Sequence, residues 1–291
     1  MSWRVVVVSS RSKLDYKMGF MVVRSEEGER RIHLGDISVL ILETTAVSIT
    51  AYLLMELNER KIKVIFCDNQ HNPAAEMIPM YGNYVSSGRI KSQIKWDEEI
   101  KGRVWQNITR AKIGNQAWAL RKAGLPEKAE QLMEFAAAVK PGDPTNREGH
   151  AAKVYFNALF GMKFYRDQAD VRNAILDYGY AILLACFNRE IAAAGYLTQI
   201  GIWHDSAENA FNLGCDLMES FRPLVDVFAL RSGFKEFEKD EKMATVNVLN
   251  SKIGINNTEQ YLNNAIGIYA HSVFNALESG EVDKILNWYE L

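Results

Sequence analysis

The spacing of apolar residues changes once along this chain. In residues 1–70 they gather in short, mostly β-branched runs: "WRVVVV" (3–8), "GFMVVR" (19–24), "RRIHL" (30–34) and "SVLILE" (38–43). The intervening "SSRSKLDYK", "SEEGE" and "GD" read as turns, so each run predicts a strand. Ile49, Leu53 and Leu57 then recur every four positions in "SITAYLLMELNERK" (48–61), which predicts a helix capped by Ser48. "IKVIFC" (62–67) predicts a last strand. The expectation is a small β-rich module, a sandwich, with one helix.

Beyond it the rhythm is different. "DNQHNPAAEMIPMYGNYVSSGR" (68–89) gathers Pro, Gly, Asn and Ser, and residues 71–90 are assigned to a linker. From there the pattern is helical, with segments at 97–123, 126–139, 147–164, 168–194, 205–219, 222–229 and 258–278. "AVKPGDPTNREG" (138–149) interrupts the series, with Thr145 or Asn146 placed to cap the next helix. No internal repeat or low-complexity tract occurs. The predicted fold class is α+β: an N-terminal β-sandwich module (1–70), a linker (71–90) and an all-helical domain (91–291).

Composition narrows the class of protein. At 291 residues, 48 % hydrophobic and 24 % charged, the chain has the make-up of a globular protein with a sizeable core. Its net charge of −2 gives no global signal for nucleic acid, so such a surface must be a local patch. Cys67, Cys186 and Cys215 are far apart and odd in number, which suggests neither a disulfide framework nor a zinc site and points to the reducing cytoplasm. "MSWRVVVVSSRSK" is too short in its apolar run for a signal peptide, and no run is long enough for a membrane span, so no membrane association is expected.

Two groups of residues carry candidate chemistry. Between positions 89 and 122 lie nine Lys and Arg, including Lys91, Lys95 and Arg103, against three Asp and Glu, with Trp96, Trp105 and Trp118 among them. Such a helix suits a phosphate backbone; a solvated helix face over a tryptophan core stripe explains the pattern equally simply. The second group is Glu148, His204 and Glu219. Singly, each has an ordinary structural account: a first-turn acid, a histidine bonded to backbone, a surface acid. Together they make a two-carboxylate, one-imidazole set suited to Mg2+ or Mn2+. An ion so held serves phosphoryl chemistry. No phosphate-binding glycine loop, serine-nucleophile elbow or Cys-x-x-Cys pair competes. A helical phosphohydrolase acting on nucleotides, using His150, His204–Asp205 and a distant Asp such as Asp226, remains an alternative. It leaves the β-rich start and the basic stretch without a role.

Three blocks, "REGHAAKVYFNALFG" (147–161), "RNAILDYGYAILLACFNREIAAAGYLTQIGIWH" (172–204) and "NLGCDLMESFRPLVD" (212–226), resemble successive blocks of the CRISPR-associated spacer integrases. The opening "WRVVVVSS" and "FCDNQHNP" (66–73) are most similar to type II members. The resemblance implies a β-sandwich, a linker and a helical catalytic domain. It implies metal ligation and catalysis by Glu148, His204 and Glu219, the last an Asp in many members, with Asp216 a secondary candidate. The implied reaction is insertion of prespacer DNA into a CRISPR array: each 3′-hydroxyl attacks a phosphodiester at a repeat end, using Mg2+ or Mn2+. DNA contacts are then expected from Lys153, Arg166, His150, Lys91, Lys95 and Arg103. Implied partners are double-stranded DNA (prespacer, repeat and leader) and a second copy of the chain, joined through the β-rich module. Two such dimers would flank a dimer of a small second adaptation protein, and the effector nuclease and an accessory ring protein of type II systems would take part. A scaffold that keeps the fold without activity is a third reading, against which the intact acid–His–acid set argues.

Overall fold

The computed structural model describes residues 4–80 and 86–291. Trp3, which opens the first predicted strand, and residues 81–85 of the predicted linker lie outside them. The N-terminal region is built from two four-stranded sheets. In the first, strands β1 (Arg4–Val8), β5 (Ile37–Leu42), β7 (Lys63–Cys67) and β8 (Pro73–Glu76) lie side by side in that order, the first three parallel. The second has the order β4 (Gly28–His33), β3 (Phe20–Ser25), β2 (Ser12–Lys17), β6 (Val47–Ile49).

Strand β2 falls where the sequence reads as a turn. Its alternation is real, with Ser12 and Leu14 buried and Lys13 and Lys17 exposed, but the outer face is charged and leaves too few apolar residues to see. Helix α1 (Ala51–Glu59) starts two residues later than Ser48 would place it, because the Thr50 hydroxyl accepts the Leu53 N–H. The stretch "DNQHNP" makes the turn from β7 to β8: Asp68 Oδ1 accepts the N–H groups of Gln70 at 2.8 Å and Asn72 at 2.9 Å. A strand, β8, therefore stands within the predicted linker.

All six residues of β5 are buried because the strand has apolar neighbours on both faces. Leu40 and Leu42 join Leu14, Met21, Leu53 and Leu57 between the sheets. Val39 and Ile41, with Ile65 and Cys67 of β7, face the other way into the core of the helical region. The buried Lys63–Glu76 ion pair and the Asn188 side chain, which donates to Glu76 Oε1 at 3.0 Å, tie the same sheet to the helices.

The helical region comprises α2 (Ser86–Gln93), α3 (Glu98–Lys122), α4 (Pro126–Ala138), α5 (Arg147–Phe160), α6 (Val171–Ala194), α7 (Asn212–Met218), α8 (Arg222–Ser232), α9 (Lys239–Val246) and α10 (Leu262–Ser279). One hairpin, β9 (Lys252–Ile255) with β10 (Thr258–Tyr261), precedes α10 and takes the first turn of the helix expected at 258. The helix expected over 205–219 begins only at Asn212, so His204 sits in a loop and not at a helix start. The helix from 147 stops at Phe160, where Gly161 takes φ 97°. α6 is apolar almost all round and runs through the core, while α3 packs against α4, α5, α8 and α10.

Candidate metal centre

The three predicted ligands come from three different segments. Glu148 lies in the first turn of α5. That turn is fixed from both sides: Asn146, left-handed at φ 50°, caps it by accepting the Gly149 N–H, and the Asp143 carboxylate accepts the N–H groups of Arg147 and Glu148, each at 2.9 Å. Glu219 lies in a single 3-10 turn (219–221) between α7 and α8 and is buried. His204 lies in the loop that leaves α6 at Gly195.

Lys112 of α3, itself buried, joins the two glutamates. Its Nζ lies 2.6 Å from Glu148 Oε1 and 2.5 Å from Glu219 Oε2. Arg222 holds the other Glu219 oxygen at 2.9 Å and lies 4.1 Å over the Tyr180 ring. Burial alone would raise the Glu219 pKa; Arg222 and Lys112 overcome that and bring it to about 2. Burial opposes the charge on Lys112 too, yet Glu219 and Glu148 leave its pKa above the ordinary value.

Asp216 orients the histidine. It is fully buried, and its Oδ2 accepts the N–H groups of Ile202 at 2.6 Å and Trp203 at 3.0 Å. Its Oδ1 accepts the His204 N–H at 3.1 Å and lies 2.6 Å from His204 Nδ1. This hydrogen bond raises the His204 pKa against the effect of burial, and the charges of Asp216, Glu219 and Glu148 add to the rise. The imidazole is thus within electrostatic reach of both glutamates. Trp105 meets its ring edge-on at 5.8 Å and stacks on Trp203, whose other face is half exposed.

Among the described residues, no three His, Cys, Asp or Glu side chains converge closely enough to hold a metal ion, and the Lys112 ammonium stands between the two glutamates. The chemistry of the donors nonetheless fits a divalent ion. Glu219 Oε2 is buried and accepts no hydrogen bond, since the Lys112 contact is an ion pair outside hydrogen-bonding geometry. With Nδ1 occupied by Asp216, the imidazole has Nε2 left for a ligand.

The expected DNA-contacting residues are dispersed. Lys91 and Lys95 are exposed and Arg103 is half-buried. His150 and Lys153 are exposed on α5. Arg166 is tied down instead: it donates to Asn173 Oδ1 at 2.6 Å, pairs with Asp177 and lies over Tyr180. Much of the basic stretch is engaged within the fold. Arg89 reaches Tyr196, Lys101 pairs with Glu98, Arg110 donates to the Val139 carbonyl, Arg121 pairs with Glu130 and Lys122 with Glu290. The phosphohydrolase set does not assemble. Asp226 is sealed between the hydroxyls of Tyr155 and Tyr180, and the partner of His204 is Asp216, not the exposed Asp205.

Lys112, Arg222 and Asp143 escape a reading by residue type, and Asp216 stands there only as a secondary candidate. Lys112 had a signal: with Trp105 and Ile108 it occupies the buried stripe of α3, where a lysine needs a partner.

The family model for "CRISPR associated protein Cas1" matches residues 5–243. A CRISPR-associated endonuclease Cas1 from Neisseria meningitidis serogroup C (strain 8013) is 37 % identical over 228 residues, covering 78 % of this chain and 75 % of the relative. A Cas1 endonuclease from Pyrobaculum aerophilum is 29 % identical over 247 residues, covering 78 % and 81 %. In fold, the chain is similar to a CAS1 protein from Thermotoga maritima (TM-score 0.76, 17 % identity, covering 96 % of this chain and 97 % of that one). It is also similar to a casposase bound to an integration product (TM-score 0.76, 18 % identity, 97 % and 92 %). The chain belongs to the Cas1 family of CRISPR-associated proteins.

Proposed function

We propose that this protein is a divalent-metal-dependent DNA endonuclease and integrase of CRISPR adaptation, inserting prespacer DNA into a CRISPR array in the cytoplasm. The observation that carries the reading is the paired Glu148 and Glu219 beside a histidine whose Nδ1 is fixed by a buried Asp216, in a chain of the Cas1 family. Glu148, Glu219 and His204 Nε2 would hold Mg2+ or Mn2+. Such an ion, when bound, neutralises charge on the phosphoryl oxygens. The 3′-hydroxyl oxygen of the prespacer forms a bond to phosphorus at the repeat end, the repeat's own 3′-oxygen leaves and takes up a proton, and the number of phosphodiesters is unchanged.

The remaining groups supply position and charge, the main demands of phosphoryl transfer. Asp216 sets the imidazole plane, Asp143 and Asn146 set Glu148, and Arg222 sets Glu219. Lys91, Lys95, Arg103, His150 and Lys153 are proposed to meet the DNA. Arg166, already ion-paired, is a weaker candidate. Solved relatives described as a Cas1–DNA complex and a Cas6-RT-Cas1–Cas2 complex support duplex DNA and a small second adaptation protein as partners. Residues 1–70 are proposed as the dimerisation module, ahead of a helical catalytic domain.

The test is strand transfer. Purified protein with the small partner is given a labelled duplex bearing free 3′-ends and a supercoiled plasmid carrying leader and repeat, in Mg2+, Mn2+ or EDTA. Metal-dependent joining that disappears in His204→Ala, with folding and DNA binding retained, is expected. DNA binding without joining in any metal would leave a scaffold.

A further inference from the structure

We infer that Lys112 is an exchangeable counter-cation of the centre, which holds Glu148 and Glu219 together in the metal-free protein and competes with the divalent ion for them. The inference rests on the metal reading above and goes beyond it, because it assigns the affinity of the site to a residue outside the ligand set.

Three observations carry it. The first is position. The Lys112 ammonium contacts one oxygen of each carboxylate, at 2.6 Å and 2.5 Å, so a cation already stands between the two acids that would hold the ion. The second is charge. Lys112 and Arg222 already bring two positive charges to Glu148 and Glu219, the acids proposed to hold the ion. A divalent ion held by the same two carboxylates would lie against the Lys112 ammonium, and cations at such short range repel unless one withdraws. Uncompensated buried charge is strongly disfavoured, so ion and ammonium exclude one another.

The third decides which cation leaves. Arg222 is fixed by a hydrogen bond to Glu219 Oε1 and by the Tyr180 ring beneath its guanidinium. Among the described residues, Lys112 makes one such bond, to Glu148 Oε1 at 2.6 Å, and lies over no aromatic ring. Its contact with Glu219 Oε2 is outside hydrogen-bonding geometry, and its charge rides on a flexible four-carbon stem. Lys112 is therefore the group that gives way.

The experiment uses the full-length protein and two probes. Mn2+ binding is titrated by electron paramagnetic resonance for wild type, Lys112→Gln and Lys112→Arg. Lys112→Gln is expected to bind Mn2+ at least tenfold more tightly than wild type, whereas Lys112→Arg, which keeps the charge, is expected to bind no more tightly. Equal or weaker binding by a folded Lys112→Gln overturns the inference. In parallel, acylation of the Lys112 amine in wild type is followed by mass spectrometry with and without Mg2+. Protection in EDTA and modification in Mg2+ are expected; protection in both overturns the inference even where Lys112→Gln fails to fold. Absence of Mn2+ binding in every variant would sink the metal reading and this inference together, whereas binding unaffected by Lys112 would sink this inference alone.

Discussion

His204 Nδ1 lies 2.6 Å from the carboxylate of Asp216, which also accepts three consecutive backbone N–H groups, from Ile202, Trp203 and His204. One buried acid thus shapes the loop and sets the imidazole within it. Removing its charge should change the histidine more than the fold. Asp216→Asn is expected to lower the His204 pKa toward the ordinary value, seen by NMR titration of the ring. Mn2+ affinity is expected to fall by about 10–100-fold, as for other partners that orient a metal-bound histidine. An unchanged His204 titration would refute this assignment.

Gly201 makes that loop possible. A Cβ on it would stand 2.3 Å from the His204 carbonyl oxygen and 2.8 Å from Asp216 Oδ2, and neither belongs to a flexible side-chain end free to withdraw. Gly201→Ala should therefore displace His204 while leaving the distant sheets intact. The expected result is loss of strand transfer and of the Asp216–His204 coupling, read by the His204 titration, with far-ultraviolet circular dichroism unchanged.

The Glu219 carboxyl gives the protein an acid limit. Its pKa near 2 lies below the unfolded value of 4.5, so its ion pairs stabilise fully above pH 4.5. That contribution is lost as pH falls from there toward 2. At about 1.4 kcal/mol per unit the contribution is on the order of 3 kcal/mol. Glu219→Gln should flatten the stability profile over this range in denaturant titrations, and a profile as steep as wild type would show that another carboxyl sets the limit.

The β/helix division and the long helices were legible because their apolar runs are long and bounded by turn residues, as in "ISVLIL" and through α6. What escaped was set by tertiary contacts. β2 hides behind a charged outer face, and the hairpin 252–261 is marked by two left-handed asparagines, Asn256 and Asn257, with little apolar alternation. The site divided in the same way. Glu148, His204 and Glu219 are candidates by residue type, and the resemblance of their blocks is what implies that they act as one set. Lys112 owes its role to the meeting of α3 with the turn after α7, a contact that no local spacing encodes, whereas Arg222 pairs with Glu219 three residues before it.

Asp226 separates the integrase reading from the phosphohydrolase one. Its carboxyl accepts the Tyr155 hydroxyl at 2.8 Å and the Tyr180 hydroxyl on its other oxygen, and burial raises its pKa to about 6 against those bonds. The sign is opposite to that of Glu219. With a folded value above the unfolded 3.8, Asp226 favours folding when protonated, and that contribution fades as pH rises from about 4 through 6. Asp226→Asn should remove this slope while keeping a side chain that fills the same space. Stability at pH 7 should change by about 1–3 kcal/mol, the range for altering a buried hydrogen-bonded group. Because Asp226 faces two tyrosines and no donor set, Mn2+ affinity should stay within about threefold of wild type, a change of less than 1 kcal/mol. A phosphohydrolase that uses Asp226 as a ligand predicts the reverse: loss of metal and of nucleotide turnover in the same variant. Calorimetric Mn2+ titration of Asp226→Asn beside His204→Ala therefore distinguishes the two, since only the histidine variant should lose the ion.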